Sequence, residues 1–258
     1  MSARAWHFCF AEYERGGRVS EIDWQRFEWM SFDCYGTLID WESGILGYLQ
    51  PLLRAKGRSI PDVQLLNLYA ELEPREQSGE YRSYREVLSA VMRGFASELN
   101  FDLSPAEANG LADSISSWKP FPDTIRGLQK LKSRYKLAVL SNIDSDLFAL
   151  SANHLRVPFD LVITASQVHS YKPSRQNFEI LVAQTGGSHD KLVHAAESIY
   201  HDVVPARKLG IATVWVNRRQ GKAAAATRLV DGKADLEVAS IEELARLSAA
   251  GTTGSPGS

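Results

Sequence analysis

The chain has 258 residues, of which 44% are hydrophobic and 23% are charged, and its formal net charge at neutral pH is −2. These values are typical of a globular protein, exclude a disordered or fibrous chain, and lack the basic character of a nucleic-acid-binding protein. With only two cysteines, Cys9 and Cys34, the sequence offers no disulfide framework, and a reducing environment fits best. No apolar run approaches the roughly 18 residues of a membrane span. We therefore expect a cytoplasmic protein whose partner is a small molecule, neither a membrane nor a nucleic acid.

Five short apolar runs predict buried parallel strands, because strands covered on both faces are nearly continuous in hydrophobic character. These runs lie at residues 27–32, 136–141, 161–164, 192–196 and 211–216. Amphipathic stretches, which predict helices, lie at residues 123–134, 145–155, 174–184 and 202–209. Asp123 is the predicted N-cap of the first of these helices, and Gly210 is the predicted end of the last. Strands that alternate with helices predict an α/β fold with a Rossmann-like, doubly wound parallel sheet.

About 100 residues separate the first two predicted strands, whereas one crossover requires only a dozen or so. This segment has helical patterns at residues 44–55, 63–72, 84–99 and 104–117. Ser104, Pro105 and Glu107 form a helix start, with a serine N-cap, a proline in the first turn and an acid nearby. The segment 118–123 contains two prolines and leads back into the sheet.

This pattern predicts a domain organisation with one insertion. We predict a helical cap domain over residues 43–117, inserted into an α/β core formed by residues 25–42 and 118–248. Residues 1–24 are predicted to be an N-terminal extension, and residues 249–258 a flexible tail, because their composition is typical of such segments. An insertion after the first strand lies beside the carboxyl ends of the strands, where open α/β sheets bind ligands.

The strongest local signal follows the first predicted strand, where the chain reads Asp33-Cys34-Tyr35-Gly36-Thr37. A carboxylate that leaves a buried strand is costly unless it is hydrogen-bonded or paired with a cation. The simplest alternative is that Asp33 only caps the following turn. A carboxylate can also act as a nucleophile, and the covalent intermediate then divides a difficult displacement into two easier steps.

Three further motifs with polar residues follow along the chain. They are Leu140-Ser141-Asn142, Tyr171-Lys172-Pro173 and Glu197-Ser198-Ile199-Tyr200-His201-Asp202. With these four motifs in order, the region 27–217 resembles the haloacid dehalogenase (HAD) superfamily and, within it, the 2-haloacid dehalogenase-like (type II) branch. The resemblance implies the HAD fold, a hydrolase activity and, since such dehalogenases are often dimers, a homodimer.

The resemblance also implies roles for individual residues. Asp33 is the nucleophile, Lys172 is its cation, and Asp202 orients Lys172 and the hydrolytic water. The substrate-binding residues are Tyr35, Thr37, Ser141 and Asn142, whose polar groups bond to the substrate or to the second oxygen of the nucleophile. An opposite charge within a few ångströms lowers a carboxylate pKa by about 1–3 units, so Lys172 is expected to lower the pKa of Asp33.

The residue two places after the nucleophile favours one reaction. Phosphatases of this superfamily have a second aspartate there, which protonates the leaving alcohol, whereas this chain has Tyr35. General acid catalysis is typically worth about 10²–10⁴-fold, but a halide leaving group needs no proton. We therefore expect hydrolytic dehalogenation of a small 2-haloalkanoic acid through an ester on Asp33, and the resembling enzymes require no metal.

Two alternatives remain open. Glu197 and Asp202, together with Asp33, resemble the acids with which phosphatase relatives bind Mg²⁺, so a magnesium-dependent phosphatase or phosphonate hydrolase is the first alternative. The second is a non-catalytic protein that keeps the fold as a binding scaffold. The sequence departs from the dehalogenase pattern at two places: the cap stretch 66–73 has no arginine, and Phe178 replaces a tyrosine.

Other conspicuous residues have simpler interpretations. Cys34 is interpreted as a small buried residue. The Arg218-Arg219 pair is interpreted as part of a solvated loop, and His201 as a structural or solvated loop residue. Four aromatic residues of the cap region either line an apolar pocket or pack between helices, and these are Trp41, Tyr69, Tyr84 and Trp118.

Overall fold

The computed structural model describes residues 22–219 and 231–250, and these residues contain one sheet of six parallel strands. The strands are β1 (Trp29–Phe32), β2 (Lys136–Ser141), β3 (Leu161–Thr164), β4 (Leu192–Ala196), β5 (Ala212–Val216) and β6 (Leu236–Val238). Their order in the sheet is β3-β2-β1-β4-β5-β6. The predicted doubly wound parallel sheet is therefore confirmed. This order places β1 between β2 and β4, so the chain segments that leave these three strands meet at one edge of the sheet.

Ten α-helices surround this sheet in the described part of the chain. They are α1 (Trp41–Ala55), α2 (Asp62–Gln77), α3 (Tyr84–Leu99), α4 (Pro105–Ser114), α5 (Thr124–Lys132), α6 (Ser145–Leu155), α7 (Ala165–Val168), α8 (Arg175–Gln184), α9 (Val204–Lys208) and α10 (Ile241–Ala250). Helices α1 to α4 all lie between β1 and β2 in the chain, as the helical patterns predict. None of the helices within residues 22–219 and 231–250 has both the length and the apolar character needed to span a bilayer.

Each face of the sheet carries its own apolar core, because successive side chains of a strand point to opposite faces. In β2, Leu137 and Val139 belong to the larger core, which also contains side chains of α5 and α10 and of the insertion. Ala138 and Leu140 belong to the smaller core, which α8 completes with Phe178. Both faces of the sheet are thus covered, and this explains why the strand sequences are almost continuously apolar.

The helical insertion is attached to the sheet by two short backbone contacts. Where the chain leaves and returns, the Asp40 amide donates to the Lys119 carbonyl (2.9 Å) and the Phe121 amide donates to the Leu38 carbonyl (3.1 Å). The returning segment therefore pairs with the departing one, as the proline-containing stretch at 118–123 predicts.

A side chain of the core also holds the insertion. Asp144, which lies between β2 and α6, is buried, and its carboxylate accepts hydrogen bonds from the first two backbone amides of α3, those of Tyr84 (2.9 Å) and Arg85 (3.0 Å). Helix N-termini present unpaired amides, so this carboxylate satisfies groups that the helix cannot satisfy itself.

Several predicted element ends agree with the structure. Ser104 and Glu107 form a reciprocal capping box at the start of α4, with Pro105 in the first turn. After α9, Gly210 has a φ angle of +77°, which favours glycine and ends the helix. Cys34 is fully buried, as predicted.

Other predictions about the elements were wrong or incomplete. The sequence patterns did not predict β6 or α10. The helix predicted at residues 202–209 begins as a π-helical turn at Ile199–Val203 before α9. Asp123 precedes α5 but makes no side-chain capping bond, because its carboxylate bonds elsewhere. The predicted extension and tail fall largely outside the described residues, and the predicted domain boundaries stay predictions.

Two glycines of α1 provide a test of how closely the insertion packs on the returning chain. A Cβ atom at Gly44 would lie 2.4 Å from the Trp118 ring, whereas a Cβ atom at Gly47 would meet nothing within 4 Å. We expect Gly44→Ala to lower the free energy of unfolding by about 1–3 kcal/mol through overpacking. Gly47→Ala should raise it by about 0.5–1 kcal/mol, because alanine is the better helix former. Chemical denaturation of both variants measures this, and equal effects would contradict the close contact.

Candidate active site

A buried lysine joins two acids at the carboxyl edge of the sheet. Asp33 follows β1 directly and is 7% exposed, and Lys172 is 2% exposed. The Lys172 ammonium donates to Asp33 Oδ1 (2.9 Å), to Asp202 Oδ1 (2.6 Å) and to the Leu140 carbonyl oxygen (2.9 Å). An ammonium group has three donors, and here each has an acceptor. The structure therefore brings together the three residues for which the sequence predicts catalytic roles.

The loop after β1 holds the second oxygen of Asp33. The Thr37 hydroxyl donates to Asp33 Oδ2 (2.8 Å) and accepts from the Glu197 amide (2.9 Å), and Thr37 is fully buried. Gly36 allows the tight turn that brings Thr37 back, since its φ angle of +92° is strained for other residues. Of the two roles that the sequence suggests for Thr37, contact with the nucleophile is the one seen.

Ser141 is the last residue of β2, the strand beside β1, and Asn142 follows it directly. The Asn142 side chain makes two hydrogen bonds with the Lys172 backbone, accepting from its amide (2.7 Å) and donating to its carbonyl oxygen (3.0 Å). The Ser141 hydroxyl is buried and has no hydrogen-bond partner within the described structure. Asp33, Ser141, Asn142, Lys172 and Asp202 line one cavity, here called the central cavity.

A histidine that sequence reasoning missed holds Asp202. His194, in the middle of β4, is 1% exposed and its Nε2 lies 2.9 Å from Asp202 Oδ1, while its Nδ1 lies 2.8 Å from the Ser31 hydroxyl. Phe178 packs edge-on against the histidine ring, 5.6 Å between centroids. The sequence signal that could have revealed His194 is a polar residue inside the apolar run 192–196. The other oxygen of Asp202, Oδ2, is buried without a described partner.

The pKa values of the two acids that share Lys172 are shifted in opposite directions. Burial raises the pKa of Asp33, and this outweighs the opposing effects of Lys172 and Thr37. For Asp202, burial is overcome by the Lys172 charge and the His194 hydrogen bond, which lower its pKa. Lys172 lowers the pKa of Asp33 as expected, but burial and the charge of Asp202 outweigh it, so the net shift of Asp33 is upward. The two acids in turn overcome burial and raise the pKa of Lys172, which stays charged.

Glu197 faces a neighbouring cleft. Its carboxylate pairs with Arg219 (3.0 Å), and burial raises its pKa to about 7 although Arg219 lowers it. Glu197 borders that cleft together with Glu42 and Arg218 and does not line the central cavity.

This arrangement bears on the metal site of the phosphatase alternative, which would use Asp33, Glu197 and Asp202. Two of these acids share Lys172, and the third is engaged by an arginine. Across residues 22–219 and 231–250, no three histidine, cysteine or acidic side chains are grouped so that they could hold a metal ion. These residues do not fit a magnesium ion as they are placed here.

The arginine pair after β5 is not solvated, which corrects the sequence-based interpretation. The Arg218 side chain is 9% exposed, stacks over the Phe121 ring (4.3 Å) and pairs with Asp123 (2.7 Å). Its Nε and a terminal nitrogen both donate to the Thr37 carbonyl oxygen (3.1 and 2.8 Å). Arg218 therefore connects the loop after β1 to the chain that returns from the insertion.

We expect Arg218→Met to lower the free energy of unfolding by about 2–3 kcal/mol, because it removes the cation paired with the largely buried Asp123 carboxylate and both side-chain donors to the Thr37 carbonyl oxygen. The matched control is Arg126→Met, whose arginine is 70% exposed and pairs with Glu242 at the surface. That control should cost less than about 1 kcal/mol. Urea denaturation of both variants measures the difference, and a similar cost for both would contradict the role assigned to Arg218.

The insertion contributes the remaining wall of the central cavity. Trp41, Glu73 and Tyr84 line it, and Tyr35 of the core lines it as well, with its hydroxyl 2.7 Å from that of Ser151. The prediction that cap aromatics line a pocket therefore holds for two of the four. The other two, Tyr69 and Trp118, pack behind them in the apolar core.

Two further residues complete the description of this cavity. His201 also lines it, and burial lowers its pKa to about 4, so the ring is neutral at physiological pH. Glu73 was not predicted from the sequence. The available signal was its position on the apolar face of α2, seven residues after Leu66 and four after Tyr69.

The fold and this set of residues define an α/β protein with a buried carboxylate at the centre of its candidate site, and a known family has the same pattern. Residues 30–216 match the model of the haloacid dehalogenase-like hydrolases, so the chain belongs to this family. The predicted resemblance is thereby confirmed.

Individual relatives include both dehalogenases and a nucleotidase. The solved structure of the L-2-haloacid dehalogenase PA0810 is similar with a TM-score of 0.73 and 26% identity, covering 87% of this chain and 99% of that one. An L-2-haloacid dehalogenase from Xanthobacter autotrophicus is similar in fold, with a TM-score of 0.71 and 22% identity, covering 86% of this chain and 98% of that one. A curated relative, pyrimidine 5′-nucleotidase YjjG of Escherichia coli (strain K12), is 24% identical over 224 residues, which cover 82% of this chain and 97% of the relative.

Proposed function

We propose that this hydrolase cleaves the carbon–halogen bond of a small 2-halo carboxyl compound, with 2-haloalkanoic acids as the first class to test. The observation that carries the proposal is Tyr35, which occupies the position of the general acid in phosphatase relatives and bonds to Ser151. Burial raises the pKa of Tyr35 well above its ordinary value and outweighs the Ser151 hydrogen bond, which lowers it, so Tyr35 is a poor proton donor. Halide is the leaving group that such a site can release without protonation.

The first step is a displacement at carbon. A carboxylate oxygen of Asp33 attacks carbon 2 of the substrate, the carbon–halogen bond breaks, and halide leaves with the bonding electron pair. Lys172 and Thr37, each bonded to one oxygen of Asp33, hold the carboxylate in a fixed orientation. The related Xanthobacter autotrophicus enzyme has been solved with chloropropionic acid covalently bound, which supports an ester of this kind.

The second step is hydrolysis of that ester. Water attacks the carboxyl carbon of Asp33, and the bond between this carbon and the ester oxygen breaks. The product leaves as the 2-hydroxy compound, keeping the oxygen that came from Asp33. Asp202 Oδ2, buried without a described partner at the edge of the central cavity, is placed to take the proton of the water. The low pKa that Lys172 and His194 give Asp202 keeps it ionised for this role, although burial opposes them. The ammonium of Lys172 limits the negative charge that gathers around the two acids.

A second candidate function is phosphate ester hydrolysis, which the similarity to the pyrimidine 5′-nucleotidase favours. It would require Mg²⁺, and the donor set described above would have to rearrange, with Glu197 released from Arg219. Under this alternative the protein would depend on added magnesium.

One paired assay separates these functions. Purified protein is incubated with (S)- and (R)-2-chloropropionate and free chloride is measured. In parallel, phosphate release from p-nitrophenyl phosphate is measured with magnesium and with a chelator. We expect chloride release that a chelator does not reduce. Magnesium-dependent phosphate release without chloride release would favour the phosphatase, and no turnover of either substrate would favour the non-catalytic scaffold.

A further inference from the structure

Glu73 is a buried acid of the insertion that neither the family motifs nor the proposed chemistry uses. It lies on α2, is 6% exposed, and lines the same central cavity as Asp33 and Lys172. It is separated in sequence from Asp33 by all of α1 and reaches the cavity from α2, which packs against α1 and α3. A carboxyl group in this position contacts whatever the cavity binds.

The groups around Glu73 are neutral hydrogen-bond donors. Its Oε1 accepts from Gln77 Nε2 (2.5 Å) and from the Tyr84 hydroxyl (3.3 Å), and the Tyr84 hydroxyl lies 3.0 Å from that of Tyr69. Among the described ion pairs none includes Glu73. Burial therefore raises its pKa to about 7, although Tyr84 lowers it. The carboxyl group is ionised above neutral pH and protonated below it.

The charges of the central cavity do not favour an anion. Lys172 is the cationic side chain among its described lining residues, and all three of its donors already have acceptors. Asp33 and Asp202 bring two negative charges, and ionised Glu73 adds a third. A 2-haloalkanoate would place its own carboxylate in this cavity beside like charges, and such juxtapositions cost several kcal/mol at binding sites.

We infer that Glu73 selects substrates that have an uncharged carboxamide, with its N–H donor, in place of the carboxylate. A 2-haloamide is therefore bound in preference to the 2-haloacid anion. This inference rests on the proposed dehalogenation and specifies its substrate class. An amide N–H donates to the Glu73 carboxylate, which retains free acceptor positions. The bonds that form and break at carbon 2 are the same for an amide and for an acid: a carboxylate oxygen of Asp33 bonds to carbon 2, and halide leaves with the bonding electron pair.

The preference is expected to depend on pH. The titratable groups that face Glu73 or share its cavity are Tyr35, Tyr69, Tyr84, Tyr171, Asp33, Lys172, His201 and Asp202. The tyrosines stay neutral at neutral pH because burial raises their pKa values. Lys172 stays charged because Asp202 and Asp33 raise its pKa, although burial opposes them. Protonation of Asp33 would lower the turnover of both substrates alike, so its effect cancels in the ratio of amide to acid turnover. The ratio of amide to acid turnover should therefore follow Glu73.

The experiment compares two substrates of equal size, (S)-2-chloropropionamide and (S)-2-chloropropionate, by chloride release at about pH 6 and about pH 8.5, on either side of the Glu73 transition. For the unaltered protein we expect kcat/KM for the amide to exceed that for the acid by about tenfold at the higher pH, and by less at the lower pH. In Glu73→Gln, which keeps the size and the acceptor for Tyr84, the preference should fall by about tenfold, mainly through KM, and lose its pH dependence.

The matched control is Glu71→Gln, which removes the same charge from the exposed side of α2. It should retain the preference of the unaltered protein. A preference for the acid at the higher pH, or a ratio that Glu73→Gln leaves unchanged, would overturn the inference while leaving dehalogenation intact.

A binding measurement separates the two proposals if neither substrate releases chloride. In that case the dehalogenation proposal fails, and the Glu73 inference is tested by calorimetric titration with propionamide and propionate. Tighter binding of propionamide that Glu73→Gln removes would support the role of Glu73. No binding of propionamide, or equal binding of both compounds, would overturn it.

Discussion

Replacing Asp33 with asparagine should lower turnover by at least about 10⁴-fold, the size of effect seen when a nucleophile is removed. The asparagine side chain has nearly the same shape and can still accept from Lys172, so the fold should persist. We expect the free energy of unfolding to change by no more than about 1 kcal/mol. Turnover is measured as halide release, and the control is Asp190→Asn, an exposed aspartate far along the chain that should retain full activity.

A labelling experiment on the unaltered protein tests the same residue without a substitution. One turnover is run in H₂¹⁸O with the enzyme in excess, and the digested peptide that contains Asp33 is weighed. Hydrolysis of an ester on Asp33 incorporates one ¹⁸O into its carboxylate, while the first product molecule stays unlabelled. An unlabelled peptide together with a labelled product would show that water attacks the substrate directly, and the proposed nucleophile would then be rejected.

Replacing Lys172 with methionine should lower the free energy of unfolding by about 3–5 kcal/mol, because two buried carboxylates lose the cation between them. The surface control is Lys191→Met, whose lysine is about half exposed and pairs with Glu28. This control should cost less than about 1 kcal/mol. Both values come from urea denaturation at neutral pH. A similar, small cost for the two variants would contradict the description of Lys172 as the centre of a buried charge cluster.

The pH dependence of the Lys172→Met variant provides a second readout. In the unaltered protein the pKa of Asp202 is lowered by Lys172 and His194 against burial, so its contribution is present above the unfolded-state pKa and is lost as the pH falls. Without the lysine, burial dominates at both acids and raises their pKa values. The variant should then be stabilised as the pH is lowered from about 8 towards about 5, where the buried acids take up protons. A variant that loses stability over this range would contradict this.

The core of the fold could be predicted because its signals are local. The strands β1 to β5 are short apolar runs, and the long gap after β1 is filled by sequences with helical periodicity. The strand β6 was missed because it has only three residues, lies at the edge of the sheet, and places Glu237 on an exposed side. Such a segment carries no apolar run for a sequence pattern to detect.

The candidate site could be predicted in part for the same reason. Asp33 follows β1 directly and Asp202 lies in the turn after β4, the strand beside β1, so the parallel sheet implies that these two acids meet. Lys172, which lies between α7 and α8, was expected there from the family resemblance. His194, Arg218 and Glu73 could not be placed in this way, since their roles depend on contacts between distant segments. The direction of the Asp33 pKa also depends on burial depth and on the second acid, Asp202, and neither follows from spacing.

The carboxylate of Asp144 ties the first turn of α3 to the loop that also presents Ser141 and Asn142. Anyone who grafts a different insertion onto this sheet therefore has to retain a helix start that can dock on that carboxylate. A chimera that lacks it would leave a buried charge unsatisfied three residues after Ser141, which lines the central cavity. The bonds that Asp144 accepts from the insertion come from the first turn of α3. The sequences of the other helices of the insertion can therefore vary between homologues without loss of this contact.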